Sequence, residues 1–527
     1  MNDNSENEPS PGIRLVELAS EVRGHAAIHG DGSVRIRGVR HDSRTVQPGD
    51  LFVARKGANV DGASFVADAV SRGAAAILAA RETLDPRTVT VPVLFVDDVA
   101  DGLAIASDVV YGRPSLALDV VGITGTNGKT TCAHLVRAAL DGALGRAGCG
   151  TIGTLGHSFG SWRAPAVHTT PEADDLARSM SVMRALGATR VAMEVSSHAL
   201  ALGRVRALRF KVAALTNVTR DHLDFHRTMA EYAETKALLF TRLGPDAAVI
   251  NVDDAFGRVL AARLRVPEVA ECDRSPARRA AVFRVTARLG VDESNAEVFP
   301  RDVLMGARGI DATVRTPAGT VRIASRLIGA HNLDNLLLSI AIACALEVDV
   351  SRAAEALSNA TAPPGRLERC DADGDDIVVV VDYAHTPDAL ARVLDAVRGV
   401  ARQRVWCVFG CGGDRDPTKR ALMGEEVARR AEVAVVTNDN PRTEDPRVIA
   451  EAVANGVRAA GLEPWVELDR RRAIAFAIHS ATAGDVVLVA GKGHEDYQVV
   501  GAVKHPFDDR IEAREALAER RRSRGAG

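Results

Sequence analysis

Paired cysteines are missing from this sequence. Its seven cysteines lie scattered at Cys132, Cys149, Cys272, Cys344, Cys370, Cys407 and Cys411 of 527 residues. They show neither CxxC spacing nor the density of a secreted disulfide scaffold, and they read as reduced core or near-site thiols. No apolar run approaches the ~18 residues of a membrane span. The first twelve residues are polar, acidic and proline-containing, where a secretory leader would be basic and then apolar. A cytoplasmic location is therefore expected, with residues 1–12 a disordered tail. An excess of one charge is also lacking: 66 basic against 69 acidic residues leave a formal net charge of -3. That supplies no global field to draw nucleic acid or an anionic membrane. The basic run Arg520, Arg521, Arg522, Arg524 reads as a short solvated tail. No repeat of fixed period is visible. What is present is an ordinary globular balance, 46% hydrophobic and 26% charged, in a chain too long for one core, so three domains are expected.

An α/β fold class follows from the order of apolar strands and helix-like stretches. From Gly38 to Ala79 the pattern gives a strand, a turn at Gln47-Pro48-Gly49-Asp50, a strand Leu51 to Ala54, a helix near Phe65 to Arg72 and a strand Ala75 to Ala79. This is a small α/β domain over residues 1–117. A second domain, residues 118–362, opens with the strand Leu118 to Ile123, a glycine-rich turn and an amphipathic helix Lys129–Leu144. Apolar strands recur at Val191 to Met193, Val212 to Leu215 and Ala247 to Asn251, with helix-like stretches between, as βαβ units require. Pro363-Pro364-Gly365 punctuates the boundary, since successive prolines cannot continue a helix. The third domain, residues 363–527, has strands at Ile377 to Val381, Val405 to Phe409, Val433 to Val436 and Val486 to Val489.

The turn of the second domain carries Gly125-Thr126-Asn127-Gly128-Lys129-Thr130-Thr131. Glycines let backbone N–H groups curl around phosphate oxygens, Lys129 supplies a point charge, and the Thr130 hydroxyl suits magnesium. The strict GxxxxGK[ST] pattern is missed because Ile123 stands where its first glycine would be. Strand, glycine turn and helix together still point to a nucleoside triphosphate; the competing reading is a tight turn that happens to carry Lys and Thr. Glu194-Val195-Ser196-Ser197-His198 and Thr219-Arg220-Asp221-His222-Leu223-Asp224 each follow a strand, which in a parallel sheet places both at the carboxyl edge where ligands bind. Glu194 and His222 are candidates to complete a magnesium site with Thr130. Magnesium prefers oxygen, however, and a structural role for His222 stands beside the metal reading. On its own pattern, Lys236 is a solvent-facing helix lysine.

These stretches, together with His168-Thr169-Thr170-Pro171, Thr216-Asn217, Asn332 with Asn335, Asp382-Tyr383-Ala384-His385-Thr386-Pro387 and Gly491-Lys492-Gly493-His494-Glu495, resemble the Mur ligase family in the same order over nearly the whole chain. The resemblance implies three domains: an N-terminal one holding a uridine nucleotide, a central P-loop-type one holding ATP, and a C-terminal Rossmann-like one admitting an amino acid. It makes Asp42-Ser43-Arg44 part of the uridine region, with Ser43 a contact; the residues alone allow a surface turn. It assigns Thr169, Thr170, Ser196 and Arg204 to a UDP-N-acetylmuramoyl dipeptide, with Leu202 departing from the expected glutamine. Gly125, Thr126, Asn127, Gly128, Lys129, Thr130, Thr131, Asn332, Arg366, Asp382 and His385 are assigned to ATP. By themselves Asn332 and Asn335 read as helix caps. Lys236 matches a lysine carbamylated by CO2 in this family, which turns a cation into an anionic oxygen donor. Thr130, Glu194, His222 and Lys236 would then form the magnesium site, and Lys129, Glu194, His222 and Lys236 the catalytic group.

The run Asn438-Asp439-Asn440-Pro441-Arg442 follows a strand. Asn-Pro is a turn former, and Arg442 alone reads equally as a solvated arginine. The run resembles the DNPR signature of family members that add meso-diaminopimelate. A guanidinium forks onto a carboxylate through two hydrogen bonds, and diaminopimelate has a second carboxylate where lysine has none. Arg415, Glu495 and Gly491 match further contact positions, with Asp439, Asn440 and Pro441 completing the loop; Thr418 replaces the more usual glycine. The expected reaction is ATP-dependent ligation through an acyl phosphate, by a monomer with no nucleic-acid partner and no membrane insertion. The alternatives are a lysine-adding or folylpolyglutamate-synthase-like ligase and, from another class, a P-loop ATPase or switch.

Overall fold

A computed structural model of the chain describes residues 12–22, 24–57, 61–219, 221–222, 225–265, 280–306 and 308–525. The chain forms two compact units: Met1–Thr286 with Glu293–Glu297 and Leu338–Val350, and Ala287–Asp292 with Val298–Leu337 and Ser351–Gly527.

The first unit holds two principal sheets. One has five strands in the order Ala27–His29, Val93–Val96, Ala76–Ala80, Asp50–Val53, Gly38–Arg40, parallel except for the first pair. Side chains alternate across a strand, so Leu51 and Val53 enter one core with Leu78 and Leu103, while Phe52 enters another with Ile77 and Val66. The other sheet has eight strands in the order Trp162–Ala164, Gly156–Phe159, Cys149–Gly153, Arg190–Glu194, Asp119–Thr124, Val212–Leu215, Ala247–Asn251, Ala281–Val285. It is parallel from Cys149–Gly153 to Ala281–Val285, and the remaining edge is an antiparallel meander. The helix Lys129–Leu144 starts after Gly128 and stops at Gly145, both left-handed. It buries Cys132, Leu135, Val136, Ala139 and Leu140, the one-sided stripe of an amphipathic helix.

The second unit contains a three-stranded antiparallel sheet, Phe299–Gly306, Gly309–Thr316, Gly319–Ser325. Its six-stranded sheet has the order Glu368–Arg369, Val378–Asp382, Val486–Ala490, Val405–Phe409, Val433–Val436, Trp465–Val466, parallel apart from the first pair. Alternate residues again feed two cores: Val405, Cys407 and Phe409 pack with Leu390 and Met423, and Trp406 and Val408 with Ile474 and Leu517.

The meander at 149–164 and the three-stranded sheet are hairpins that the strand reading did not include. One expectation needs correction. The basic run is not a solvated tail: it belongs to the helix Asp509–Gly525. Arg520 is buried there, donating to the carbonyls of Ile478 and His479 and pairing with Asp376 at 2.9 Å. Arg521 pairs with Asp375, and Arg524 with Asp376. Acidic side chains at 375–376 make this docking possible. Cys132, Cys149, Cys344, Cys370, Cys407 and Cys411 are buried and form no disulfide among the described residues; Cys272 lies outside the described residues. Among the described residues, no helix is long and apolar enough to cross a membrane.

Candidate functional site

In the first unit the glycine loop leaves the central strand Asp119–Thr124 at its carboxyl edge. Gly125 (φ 147°) has no room for a side chain, because a Cβ there would collide with Thr216 Oγ1. Thr216 Oγ1 donates to the Asn127 carbonyl at 2.6 Å, the Asn127 N–H donates to Asn217 Oδ1 at 3.1 Å, and the Thr126 N–H donates to the Asn217 carbonyl at 2.8 Å. The stretch after the neighbouring strand thus fixes the shape of the loop, engaging the N–H groups of Thr126 and Asn127. Lys129 Nζ donates to the carbonyls of Gly125 and Thr126 at 2.9 and 2.8 Å. Thr130 and Thr131 occupy the first helical turn.

Glu194, buried at the end of Arg190–Glu194, accepts from Thr130 Oγ1 at 2.9 Å and from the Thr154 N–H at 2.8 Å. A buried carboxylate beside a hydroxyl at the strand ends is the hard-oxygen donor set that magnesium selects, so these residues fit that ion. Lys236 overturns the solvent-facing reading. It is 1% exposed, its Nζ donates to the Gly125 carbonyl at 2.9 Å, and it lies 4.4 Å over the Tyr232 ring. Burial, then the charge of Lys129, lowers its pKa to about 6, leaving a neutral, nucleophilic amine at neutral pH. His222 has a left-handed backbone (φ 52°) and an exposed side chain. It belongs to an aromatic group, 4.9 Å from the His198 ring and 6.1 Å from Tyr232. Tyr232 links that group to the loop through Thr126 Oγ1 at 3.2 Å. Arg220, Leu223 and Asp224 lie outside the described residues.

The expected dipeptide contacts also meet. Thr170 Oγ1 donates to the Glu194 carbonyl at 2.9 Å and accepts from the Ser196 N–H at 3.0 Å, and Ser196 Oγ caps the helix Ser197–Ala201. Thr169 Oγ1 lies 3.3 Å from Thr154 Oγ1. Arg204 donates to the Thr170 carbonyl at 2.9 Å and pairs with Glu172 at 2.7 Å. Leu202 is exposed. Ser43 is buried in a short 3-10 turn, Ser43–Thr45, capped by Asp42, while Arg44 folds back onto Asp42. Sequence reasoning missed the connections beneath: Arg55 pairs with Glu172 at 2.9 Å, and His41 Nδ1 lies 2.8 Å from Asp174. Burial opposes the charge of His41, but the hydrogen bond and charge of Asp174 outweigh it and raise the imidazole pKa. The only available signal was an acidic cluster, Glu172, Asp174 and Asp175, directly after Thr170-Pro171.

In the second unit Asp382 ends the strand Val378–Asp382. Its buried carboxylate accepts the N–H groups of Leu367 and Ala384, both at 2.8 Å, and burial raises its pKa. Arg366 stacks 4.9 Å over Tyr383, which lies 4.6 Å from the exposed His385. Asn332 and Asn335 are not helix caps: both are buried inside Ala330–Ala345. Asn332 Nδ2 donates to the Ile328 carbonyl at 2.8 Å, and its Oδ1 accepts from Asn335 at 3.0 Å.

The 438–442 run follows Val433–Val436 and is no solvated surface turn. Asp439, Asn440 and Pro441 are buried. Arg442 is half-buried at φ 53°, its main chain bonded to Val499 and Gly501 and its Nη1 donating to the Gly413 carbonyl at 2.7 Å. Asn440 Nδ2 donates to Glu495 Oε2 at 2.9 Å. Gly491 (φ 122°) passes so close to Asp439 that a Cβ would strike its carboxylate. Arg415 is exposed on the adjoining loop. Thr418 bonds Asp416 Oδ1 through N–H and Oγ1, stiffening that loop where a glycine was the more usual residue. Beneath lies a fully buried pair that sequence reasoning did not find. Arg470 forks onto Asp509 at 2.7 Å and donates to the carbonyls of Asn438 and Ala490, tying two strand ends together.

Sequence profiles match in three places: the Mur ligase family catalytic domain at residues 35–111, the Mur ligase middle domain at 123–343, and the Mur ligase glutamate ligase domain at 365–493. A Gloeobacter violaceus protein named UDP-N-acetylmuramoyl-L-alanyl-D-glutamate--2,6-diaminopimelate ligase is 42% identical over 516 residues, 98% of this chain and 100% of that one. A Geobacillus thermodenitrificans protein of the same name is 43% identical, covering 97% and 100%. A solved structure of that name has a TM-score of 0.70 at 30% identity, over 97% of this chain and 99% of the other. The MurF ligase of Thermotoga maritima in complex with ADP shares the fold, with a TM-score of 0.58 at 20% identity over 92% and 98%.

Proposed function

The chain belongs to the Mur ligase family, and we propose that it joins meso-2,6-diaminopimelate to the D-glutamate γ-carboxylate of UDP-N-acetylmuramoyl-L-alanyl-D-glutamate, using ATP, in peptidoglycan synthesis. The observation that carries this reading is the gathering of Arg442, Asn440, Asp439, Glu495 and Gly491 at one carboxyl edge of the six-stranded sheet. An arginine for a carboxylate and a glutamate for an ammonium suit an amino acid whose far end carries both.

A carboxylate does not react with an amine in water because its oxygen is a poor leaving group. Transfer of the γ-phosphoryl of ATP to the substrate γ-carboxylate gives an acyl phosphate. The diaminopimelate amine attacks its carbonyl carbon, and the tetrahedral adduct expels phosphate to leave the amide. The loop 125–131, through N–H groups other than those of Thr126 and Asn127, holds the triphosphate together with Lys129, which exchanges its loop carbonyls for phosphate oxygens. Thr130, Glu194, His222 and a carbamylated Lys236 hold magnesium, which supplies charge neutralisation on the transferring phosphoryl. Asn332, Arg366, Asp382 and His385 bind the remainder of ATP. Thr169, Thr170, Ser196 and Arg204 hold the dipeptide, Ser43 the uridine end, and Arg415 and Pro441 the amino acid. We assign residues 1–117, 118–362 and 363–527 as the three domains of a cytoplasmic monomer.

The test is ADP release with the UDP-muramoyl dipeptide present, comparing diaminopimelate with lysine. Release that needs the dipeptide and diaminopimelate together supports the reading. Equal use of lysine, or release with neither substrate, overturns it.

A further inference from the structure

The amino-acid loops contain one lysine to which the reaction above gives no task. Lys492 lies between two glycines after the strand Val486–Ala490 and is fully buried. A buried ammonium persists only where it is paired and hydrogen-bonded. Its Nζ reaches Glu495 Oε2 at 3.1 Å and Asn440 Oδ1 at 3.1 Å, with the Tyr497 ring 5.6 Å away.

Those two partners are the side chains that also bond to each other. Asn440 Oδ1 accepts a second hydrogen bond from the Val499 N–H at 2.8 Å, while its Nδ2 donates to Glu495 Oε2 at 2.9 Å. With two donors on its oxygen and a carboxylate on its nitrogen, the Asn440 amide has one permitted orientation. Glu495 Oε2 is gripped by two donors, Lys492 and Asn440, in a side chain still 18% exposed. One carboxylate oxygen is therefore anchored before any ligand arrives. Residues 440, 492 and 495 are thus one network, in which removing a member frees the other two.

We propose that Lys492 is the positioning residue of the amino-acid site, fixing Asn440 and Glu495 so that the site selects an amino acid with both an ammonium and a carboxylate at its far end. This rests on the function proposed above. A lysine that only stabilised the loop would, when replaced, lower the melting temperature and disturb every substrate alike. A positioning lysine affects one substrate.

Steady-state kinetics of the full-length protein with all three substrates separate these cases. In Lys492→Met, KM for diaminopimelate should rise about tenfold or more while KM for ATP and for the UDP-muramoyl dipeptide stays within about twofold, and the preference for diaminopimelate over lysine should fall about tenfold. Because Lys492 acts through Glu495 and Asn440, Lys492→Met combined with Glu495→Gln should lose less than the product of the two single losses. That double variant buries no charge and carries the substrate-specific KM test if Lys492→Met does not fold. A common rise in all three KM values, unchanged values, or additive losses in the double variant would overturn the inference. Failure of the unmodified protein to ligate diaminopimelate would overturn the function as well.

Discussion

The neutral amine of Lys236 makes a sharp prediction about CO2. Carbamate formation consumes an unprotonated amine: nitrogen attacks the carbon of CO2, a proton leaves, and a neutral side chain becomes a negative oxygen donor. An ordinary lysine, titrating near 10.5, has about one amine in a thousand unprotonated at pH 7.5. Burial and the neighbouring Lys129 bring Lys236 to about 6, which leaves nearly all of it reactive at that pH. The carbamate would face Lys129 with opposite charge, where the ammonium faced it with like charge, so the same neighbour favours the product. Besides the seven lysines, the α-amino group, with an ordinary pKa of about 8, also takes up CO2, so 13C NMR under labelled CO2 should show a second carbamate signal that is absent in Lys236→Ala. At fixed dissolved CO2 the rate of appearance of that signal should rise with a midpoint near pH 6. A midpoint above pH 9, or a spectrum unchanged in Lys236→Ala, would refute the reasoning. Stability supplies a second readout. Between about pH 6 and 10.5 the unfolded chain holds a proton that the folded chain lacks, so this group makes stability rise with pH across that window. In CO2-free buffer Lys236→Met should therefore exceed the unmodified protein at pH 7 by up to a few kcal/mol, with the gap closing toward pH 10.5.

Other expectations are as direct. Lys236→Ala should be nearly inactive and partly rescued by small carboxylates that refill the magnesium shell; full activity without them would remove the lysine from that site. Lys129→Ala should abolish ligation with little change in Tm, and near-normal turnover would end the assignment of the glycine loop to ATP. Arg442→Ala should lower the diaminopimelate-to-lysine ratio in kcat/KM by about one to two orders of magnitude, from the roughly 1.5 to 3 kcal/mol of a charged hydrogen bond; equal losses for both amino acids would make Arg442 structural. The raised pKa of His41 means that its ion pair with Asp174 contributes fully below about pH 6.5 and fades as pH rises through the folded value. The Tm deficit of His41→Phe should accordingly be larger at pH 6 than at pH 9, and a deficit independent of pH would refute a stabilising ion pair, since the backbone N–H bond of residue 41 to Asp174 survives the substitution.

How far the sequence could be read depended on the range of the interactions involved. The helix from Lys129 to about Leu144 was legible because its buried stripe and its two flanking glycines are local signals. The parallel strands were legible because burial on both faces writes them as continuous apolar runs such as Val405–Phe409. The 149–164 meander is rich in glycine and polar residues and carries neither signal. Lys236 was misread because a helix pattern shows which face is apolar, not that a glycine loop 111 residues away supplies a carbonyl for the polar tip. Arg520 was misread likewise, since its partner Asp376 lies 144 residues upstream. The amino-acid loops show the same limit most clearly. The motif letters around Asn440 and Glu495 marked the place, but the lysine that holds them is 52 residues from Asn440, and its meaning is carried by the pairing and not by the letter. Charge placed where it must be compensated across the chain is therefore the part of such a site that a sequence hides, and also the part where a single substitution is most diagnostic.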